Sequence, residues 1–550
     1  MRNFRWGVGL SWAGAIWLVA ASPCMAQGEP VGSYRLTCSD ITVQGDSLNA
    51  NCAKLDGSRQ RTTLNRLGAC MNSITQDGDI GNIDGNLVCL PDLPKPDPQF
   101  VFPTSETTLN GWIYGANQTA IVRHAWGIWA GLTQVMGAVD GVPARAFETW
   151  ATPSNMIFRS SQGGLQAAAA NAVLQRPRLQ LEVPRQFRNA KRLAPLMKAA
   201  AARATDGDTN IFVSVAYNPP AARHAIANRL FFQDTLDTYL ARGYAEVPNF
   251  PVNSVTIKPV YKVVPQNPPG GIYTFPGWPG TPVPARTFPE QDWNACVYLD
   301  VKGTGPSGNS IDAGCKGRNP SNTFHLDDFI HQTVSAADAA YLTQQLAVTV
   351  SPGDHVILVG MHVTSREIKR WAWQTFWWSA NADQPYAPSS AEIAALRPAP
   401  YLDAASRHYA MAVAYQMVAP AQPITGGKSV GESVIAYNPH LEAGFDPSTF
   451  QILRPINGQV VNKFGVQTNC MTCHNLAMYN PRTDYRVNEG ANRETPYGSD
   501  YYMSISDPVF NGSLKLDFAW SILGSLQLDG SKAAVPKAGA SAAAKAETSR

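Results

Sequence analysis

The run Asn469-Cys470-Met471-Thr472-Cys473-His474-Asn475 sets the first condition on any fold for this chain. The C-x-x-C-H spacing at Cys470, Cys473 and His474 is the one that attaches c-type haem. Each residue type has a distinct chemical role. The thiols add across the two haem vinyl groups, and the adjoining imidazole binds the iron. One helical turn brings all three to a single haem edge. Two other readings of the spacing are a structural zinc half-site and a redox-active cysteine pair. Zinc asks for a second Cys/His pair nearby, and none follows Cys473. A thioredoxin-like pair sits at a strand-to-helix turn in a compact βαβ context, whereas the flanks here are polar and loop-like. The spacing predicts one covalent haem c, with Cys470 and Cys473 as anchors and His474 as the proximal ligand.

The N-terminus points to export. Arg2 and Arg5 precede an apolar run from Trp12 to Ala21, and Cys24-Met25-Ala26 places small residues before Gln27. This is the pattern of a cleaved signal peptide over 1–26, too short to span a membrane. Removing Cys24 leaves eight of the nine cysteines. Two belong to the haem motif, and the other six fall into sequence-local pairs. Disulfides fit an exported chain. Cys296 and Cys315 have no other cysteine in their region. Pairing Cys38 with Cys52 and Cys70 with Cys89 is expected, although four cysteines allow three connectivities that spacing does not choose between. Haem attachment with disulfides predicts a bacterial periplasmic or secreted protein. A formal charge of +3, from 44 Lys and Arg against 41 Asp and Glu, offers no basis for nucleic-acid binding. No later segment reads as a membrane span.

From Val31 to Leu90 the chain reads as short strands and tight turns. Apolar and polar residues alternate in SYRLTC, ITVQGDSLNANC and RTTLNRL, with reversals at Gly45-Asp46 and Asp56-Gly57. Ser33-Tyr34 leading to Cys38, the Gly45-Asp46 turn before Leu48, Cys52 followed by Asp56-Gly57, and Ile80 to Leu87 occur in that order. This combination resembles the cyanovirin-N homology family of carbohydrate-binding modules. The resemblance implies a small all-β module over 31–90 and makes Thr37, Asn82 and Asp84 candidate sugar contacts. Asn82 and Asp84 also suit a plain structural role, setting turn geometry through their side chains.

Pro91 to Pro103 is proline-spaced and reads as a semi-rigid connector. Beyond it, 104–529 reads as one large β-rich α+β body. Thr119 to Val135 is apolar at helical spacing, and Ala336 to Leu346 reads as a helix after Ser335. Ile211 to Ala216, Val255 to Val264, Ala295 to Val301 and His355 to Val363 read as strands. Leu165 to Arg203 reads as helical segments broken by prolines, and 530–550 as a disordered tail. Gly426-Gly427-Lys428-Ser429 lacks the first glycine of a phosphate loop and reads as a turn. The expected fold class is multidomain: a small all-β module, then the α+β body ending in the haem-attachment segment.

His355 to Thr364 with Glu367-Ile368, the run from Trp371 to Trp378, and Asn438-Pro439-His440-Leu441-Glu442 join the haem motif in a second resemblance, to a group of bacterial periplasmic haem-c-type proteins. It implies a haem domain and carries no substrate with it. The sixth iron position has two candidate ligands, and an open position or another ligand is the remaining alternative. Met503 is the only methionine after Met478, and His362 is a strand-borne histidine able to reach the iron from the large body. Trp373 with Trp377, and Trp371 with Trp378, read as core residues at helical spacing. Arg366, Glu367 and Arg370 read as a solvated face, with an Arg available to a haem propionate. These features predict an exported electron-transfer protein with an unidentified redox partner, directed to a glycan by its small module. The alternatives are a haem oxidoreductase acting on a small molecule or glycan, and a lectin-type protein with structural haem.

Overall fold

Strand His355–Ser365 is hydrogen-bonded on both sides, and the body is layered on the sheet it centres. The computed structural model describes residues 29–30, 32–54, 57–73, 79–83, 85–139, 142–161, 211–346, 348–450, 463–483, 485 and 497–528. The expectations for 1–26, Leu165 to Arg203, Asp84 and 530–550 lie outside the described residues.

In the first unit, β1 (Cys38–Gln44), β2 (Ser47–Ala53) and β3 (Arg59–Asn65) form an antiparallel sheet. Leu48, Ala50 and Cys52 alternate inward along β2, as a half-buried strand requires. They pack with Tyr34, Ile80 and Leu87. Helix α1 (Leu67–Ser73) follows β3, and a hairpin of β4 (Asp79–Ile83) and β5 (Asn86–Leu90) closes the unit. Ser33–Leu36, which its alternation presents as strand, forms a 3₁₀ turn instead. The bridges are Cys38–Cys52, directly across the β1–β2 pair, and Cys70–Cys89, from α1 to β5. On so small a core such bridges supply much of the stability.

The proline-spaced connector bends at 92–93, turns at 97–99 and is not free. Leu93, Phe100 and Phe102 are buried in the core of the body. They lie along helix α3 (Gln118–Thr133), which follows α2 (Glu106–Tyr114). A Cβ at Gly127 would fall 2.2 Å from the Phe100 ring, and one at Gly131 2.3 Å from the Pro94 carbonyl. Two glycines on one helix face therefore form the groove in which the connector lies. Next come the hairpin β6 (Val135–Val139) and β7 (Val142–Arg145). It receives Ile83 of the small unit against Ala144, so the two units are packed together.

The central sheet contains β8 (Ile211–Val213), β9 (Ala216–Tyr217) and β10 (Val255–Val264). A second, four-stranded sheet follows: β11 (Ile272–Pro276), β12 (Ala295–Asp300), β13 (Asp312–Ala313) and β14 (Thr323–His325). The third disulfide, Cys296–Cys315, leaves from β12. The chain then returns to the central sheet with β15 (His331–Thr333), β16 (His355–Ser365), β17 (Ala372–Trp378) and β18 (Tyr409–Ala414). The order is β18-β17-β16-β10-β8, with β15 on β16 and β9 on β10, and every pairing is antiparallel.

The tryptophan run is a strand, not a helix. All seven residues of β17 are buried, because both faces of the sheet are covered. A strand apolar on both faces has no period of two to reveal it, and chance spacings of four then imitate a helix. Phe376 and Trp378 face one core, where Trp129 of α3 stacks on Phe376 at 4.3 Å between ring centroids. Trp373 and Trp377 face the other, with Ala410, Ala412 and Ala414 beside them on β18. Arg366 and Glu367 are likewise not a solvated face: both are buried at the end of β16. Glu367 is bonded there by His124, Ser365 and the Thr104 amide.

Candidate functional site

The motif lies on a short helix, Cys470–Asn475, against the second face of the central sheet. Its start is held on several sides. The Asn469 side chain accepts the Thr472 N–H at 3.0 Å, and its amide donates to the carbonyls of Gln416 and Val434. Thr472 Oγ1 donates to the Tyr501 carbonyl, and Trp520 Nε1 donates to the Cys473 carbonyl at 3.2 Å. Met471 points into the core, whereas Cys470, Cys473 and His474 keep accessible surface. Cys470 and Cys473 are free thiols.

His474 is held by its own ring. Its Nδ1 lies 2.8 Å from the Phe518 carbonyl, an acceptor only, so Nδ1 carries the proton. Trp373 lies against the ring, with 4.2 Å between centroids. Burial pushes the imidazole pKa down to about 3, so the ring is neutral. A neutral ring protonated at Nδ1 leaves the Nε2 lone pair available, the form in which histidine binds a metal.

The sheet supplies the facing wall. Register places Lys258 of β10, His362 of β16, Thr375 of β17 and Ala412 of β18 in one row. Residues two apart on a strand share a face, so this row adjoins Trp373. His362 Nε2 lies 3.0 Å from Glu442 Oε1. Burial would raise the Glu442 carboxyl, but His362, Lys258 and the Asn438 N–H together hold it down at about 2. Lys258 is lowered by burial, against the opposing fields of Glu442 and the two motif thiols. Burial also pushes both thiols up, with Glu442 adding to the effect. Tyr497, raised by burial, feels Cys473 as well. These groups act on one another electrostatically and yet Lys258, His362, Glu442, Tyr497 and the three motif residues all keep accessible surface. Together they form one cluster where the motif helix meets the sheet.

A single segment ties helix and sheet together. Ala436 accepts the Cys470 thiol proton at 3.3 Å and bridges to Asn469. Two residues on, the fully buried Asn438 donates to Thr375 Oγ1 and to the Phe376 carbonyl, both at 2.9 Å. It approaches this closely because β16 has Gly360 there, where a Cβ would fall 2.8 Å from the Asn438 amide. His440 then meets Glu290 at 2.5 Å, and Glu290 is paired to the fully buried Lys262 at 2.6 Å.

Of the two sixth-ligand candidates, His362 stands in the sheet row that adjoins Trp373, on which the His474 ring rests. Its Nε2 is occupied by Glu442. Met503 packs in a separate small cluster with Leu476, Met478 and Phe510. In the first unit, Thr37 and Asn82 are brought together at 3.0 Å. Asn82 also donates to the Ala53 carbonyl and accepts the Gly85 N–H, so both side chains serve the turn. Lys258, Asn438, Glu442 and the Phe518 carbonyl are site groups that the sequence pattern does not mark. Asn438 and Glu442 stand within a stretch of family resemblance, but a backbone carbonyl has no sequence signal. Among the described residues no group of three or more His, Cys, Asp or Glu side chains is arranged to hold a bare metal ion. Comparison with family models, curated proteins and solved structures finds no match to the chain.

The Lys262–Glu290–His440 cluster generates a pH prediction. Burial favours protonation of Glu290, but the Lys262 charge and the His440 contact outweigh it and hold the carboxyl at about 2. A depressed carboxylate stabilises the fold above its unfolded pKa, and that contribution is lost as pH falls toward the folded value. Glu290→Gln is expected to cost about 3 kcal/mol at pH 7, because Lys262 is left buried without its carboxylate. The difference between the two proteins in denaturant unfolding should shrink from about pH 4.5 down to about 2.

Proposed function

We propose that the chain is an exported c-type haem protein carrying one haem covalently on Cys470 and Cys473, with His474 as proximal ligand. One observation carries the reading. His474 has Nδ1 committed to the Phe518 carbonyl and Nε2 available, on the same helical turn as two partly exposed free thiols. The donor set fits the group: two thiols for the vinyl carbons and a neutral imidazole for the iron. When bound, haem there supplies one-electron exchange, and an unidentified redox partner protein is the other party. The chain's own groups hold the imidazole neutral, fix its tautomer, and enclose the site against Trp373. Expression with periplasmic haem-maturation machinery is expected to give a protein that keeps its haem after denaturation. Cys470→Ala with Cys473→Ala should lose that covalent haem entirely, as read by haem stain on a denaturing gel. A wild-type chain that takes up no covalent haem would end this reading.

A second reading has its own support. The wall facing the motif is polar: Lys258, His362 and Glu442 stand there, and His362 Nε2 meets the Glu442 carboxylate at 3.0 Å. An oxidoreductase turning over a small molecule uses polar side chains of this kind to donate and accept protons near its cofactor. On this reading the oxidised protein binds cyanide readily, seen as a shift of the Soret band. A haem unresponsive to cyanide would return the choice to electron transfer.

The small unit is proposed to direct the protein to carbohydrate. Its support is the sequence resemblance together with a disulfide-closed β core at the expected positions. The full chain is expected to bind a subset of an oligosaccharide array, and equally well with Cys470→Ala and Cys473→Ala. Binding to no member would remove the targeting role.

A further inference from the structure

The carbonyl that fixes His474 belongs to a backbone in an unfavourable conformation. Asp517 and Phe518 both have positive φ, 44° and 68°. Asp tolerates the left-handed region, but Phe is an outlier there, so something must hold the pair. The holder is the Asp517 carboxylate, which is fully buried. One oxygen accepts Arg366 Nε at 3.1 Å and the Phe250 N–H at 2.9 Å, and the other accepts Trp371 Nε1 at 3.3 Å. Arg366 directly follows β16 and Trp371 directly precedes β17, so both belong to the connection between these strands. That hairpin also carries Trp373, on which the His474 ring rests. Ring and acceptor are thus referenced to one element of the sheet, and Asp517 is the link on the acceptor side.

We infer that Asp517, through its buried pair with Arg366, is a positioning residue that holds the Phe518 carbonyl on His474 Nδ1 and thereby sets the electron richness of the proximal imidazole. A firm Nδ1–H···O bond makes the imidazole a stronger donor and favours the oxidised iron, so loosening it raises the reduction potential. The redox consequence rests on the haem reading, whereas the control of the tautomer does not.

The test uses the full chain in two forms. In the haem-loaded protein, Asp517→Asn keeps the size of the side chain and removes the charge that holds Arg366. It is expected to raise the potential and to lower the iron–imidazole stretching frequency in the resonance Raman spectrum, with covalent haem content unchanged. Adding Phe518→Gly should return both readings toward wild type, because glycine occupies the left-handed region without a clamp. A fold-stabilising role alone predicts no such rescue. In the haem-free chain, ¹⁵N-histidine spectra should show His474 as a single Nδ1-protonated tautomer, and a tautomer mixture in Asp517→Asn. If Asp517→Asn does not fold, Arg366→Lys keeps the charge, alters the geometry and carries the same expectation. A folded variant with the wild-type potential and an unshifted tautomer overturns the inference. A single tautomer in a wild-type chain that takes up no haem overturns the haem reading and leaves the clamp standing.

Discussion

Antiparallel pairing on both edges of β16 is the constraint on which the rest of the body depends. Ten residue pairs with β10 and six with β17 leave the strand no freedom to slip, since a one-residue shift would exchange its two faces. The faces are not interchangeable. One carries Met361 and Val363 into the α3 core, and the other presents His362 beside Lys258 and Thr375. An apolar core is thus sealed on one side of a single strand while a polar row is held in place on the other.

The second face combines polar and apolar demands that conflict. Lys262, Glu290, His440 and Asp517 are charged or polar and buried, and Glu442 is only slightly exposed. Each has a partner: Glu290 with Lys262 and His440, Glu442 with His362, Asp517 with Arg366. Buried pairs of this kind gain little over an apolar core of the same shape, but removing one member strands the other. They fix geometry more than they add stability. The segment from Ala436 to Glu442 is the clearest case. Within seven residues it contacts the motif helix, β17, the Glu290 cluster and His362, so a shift in any one would be felt by the others.

Much of the local structure is legible in the sequence because single signals control it. Ser335 caps its helix at Ala336, as a hydroxyl before an apolar run implies, and Val255–Val264 spans the predicted strand. The nearest-neighbour disulfides form because each joins segments adjacent in both chain and space. Legibility fails where burial is two-sided. β17 carries apolar residues on both faces and so loses its period. Arg366 and Glu367 look solvated in sequence because charge alone does not reveal a buried partner 151 or 263 residues away.

The sequence by itself determined which donors stand together: two thiols and an imidazole at one helical spacing, with cysteines left in pairs elsewhere. Those are properties of neighbouring residues, and a helical turn is enough to realise them. What faces that turn was decided only by tertiary structure. Lys258, His362 and Glu442 are separated by 104 and 80 residues, and strand register with one loop brings them together. The acceptor for the His474 ring is a main-chain carbonyl, a group every residue possesses, and only the clamp of Asp517 by Arg366 and Trp371 selects the one at Phe518.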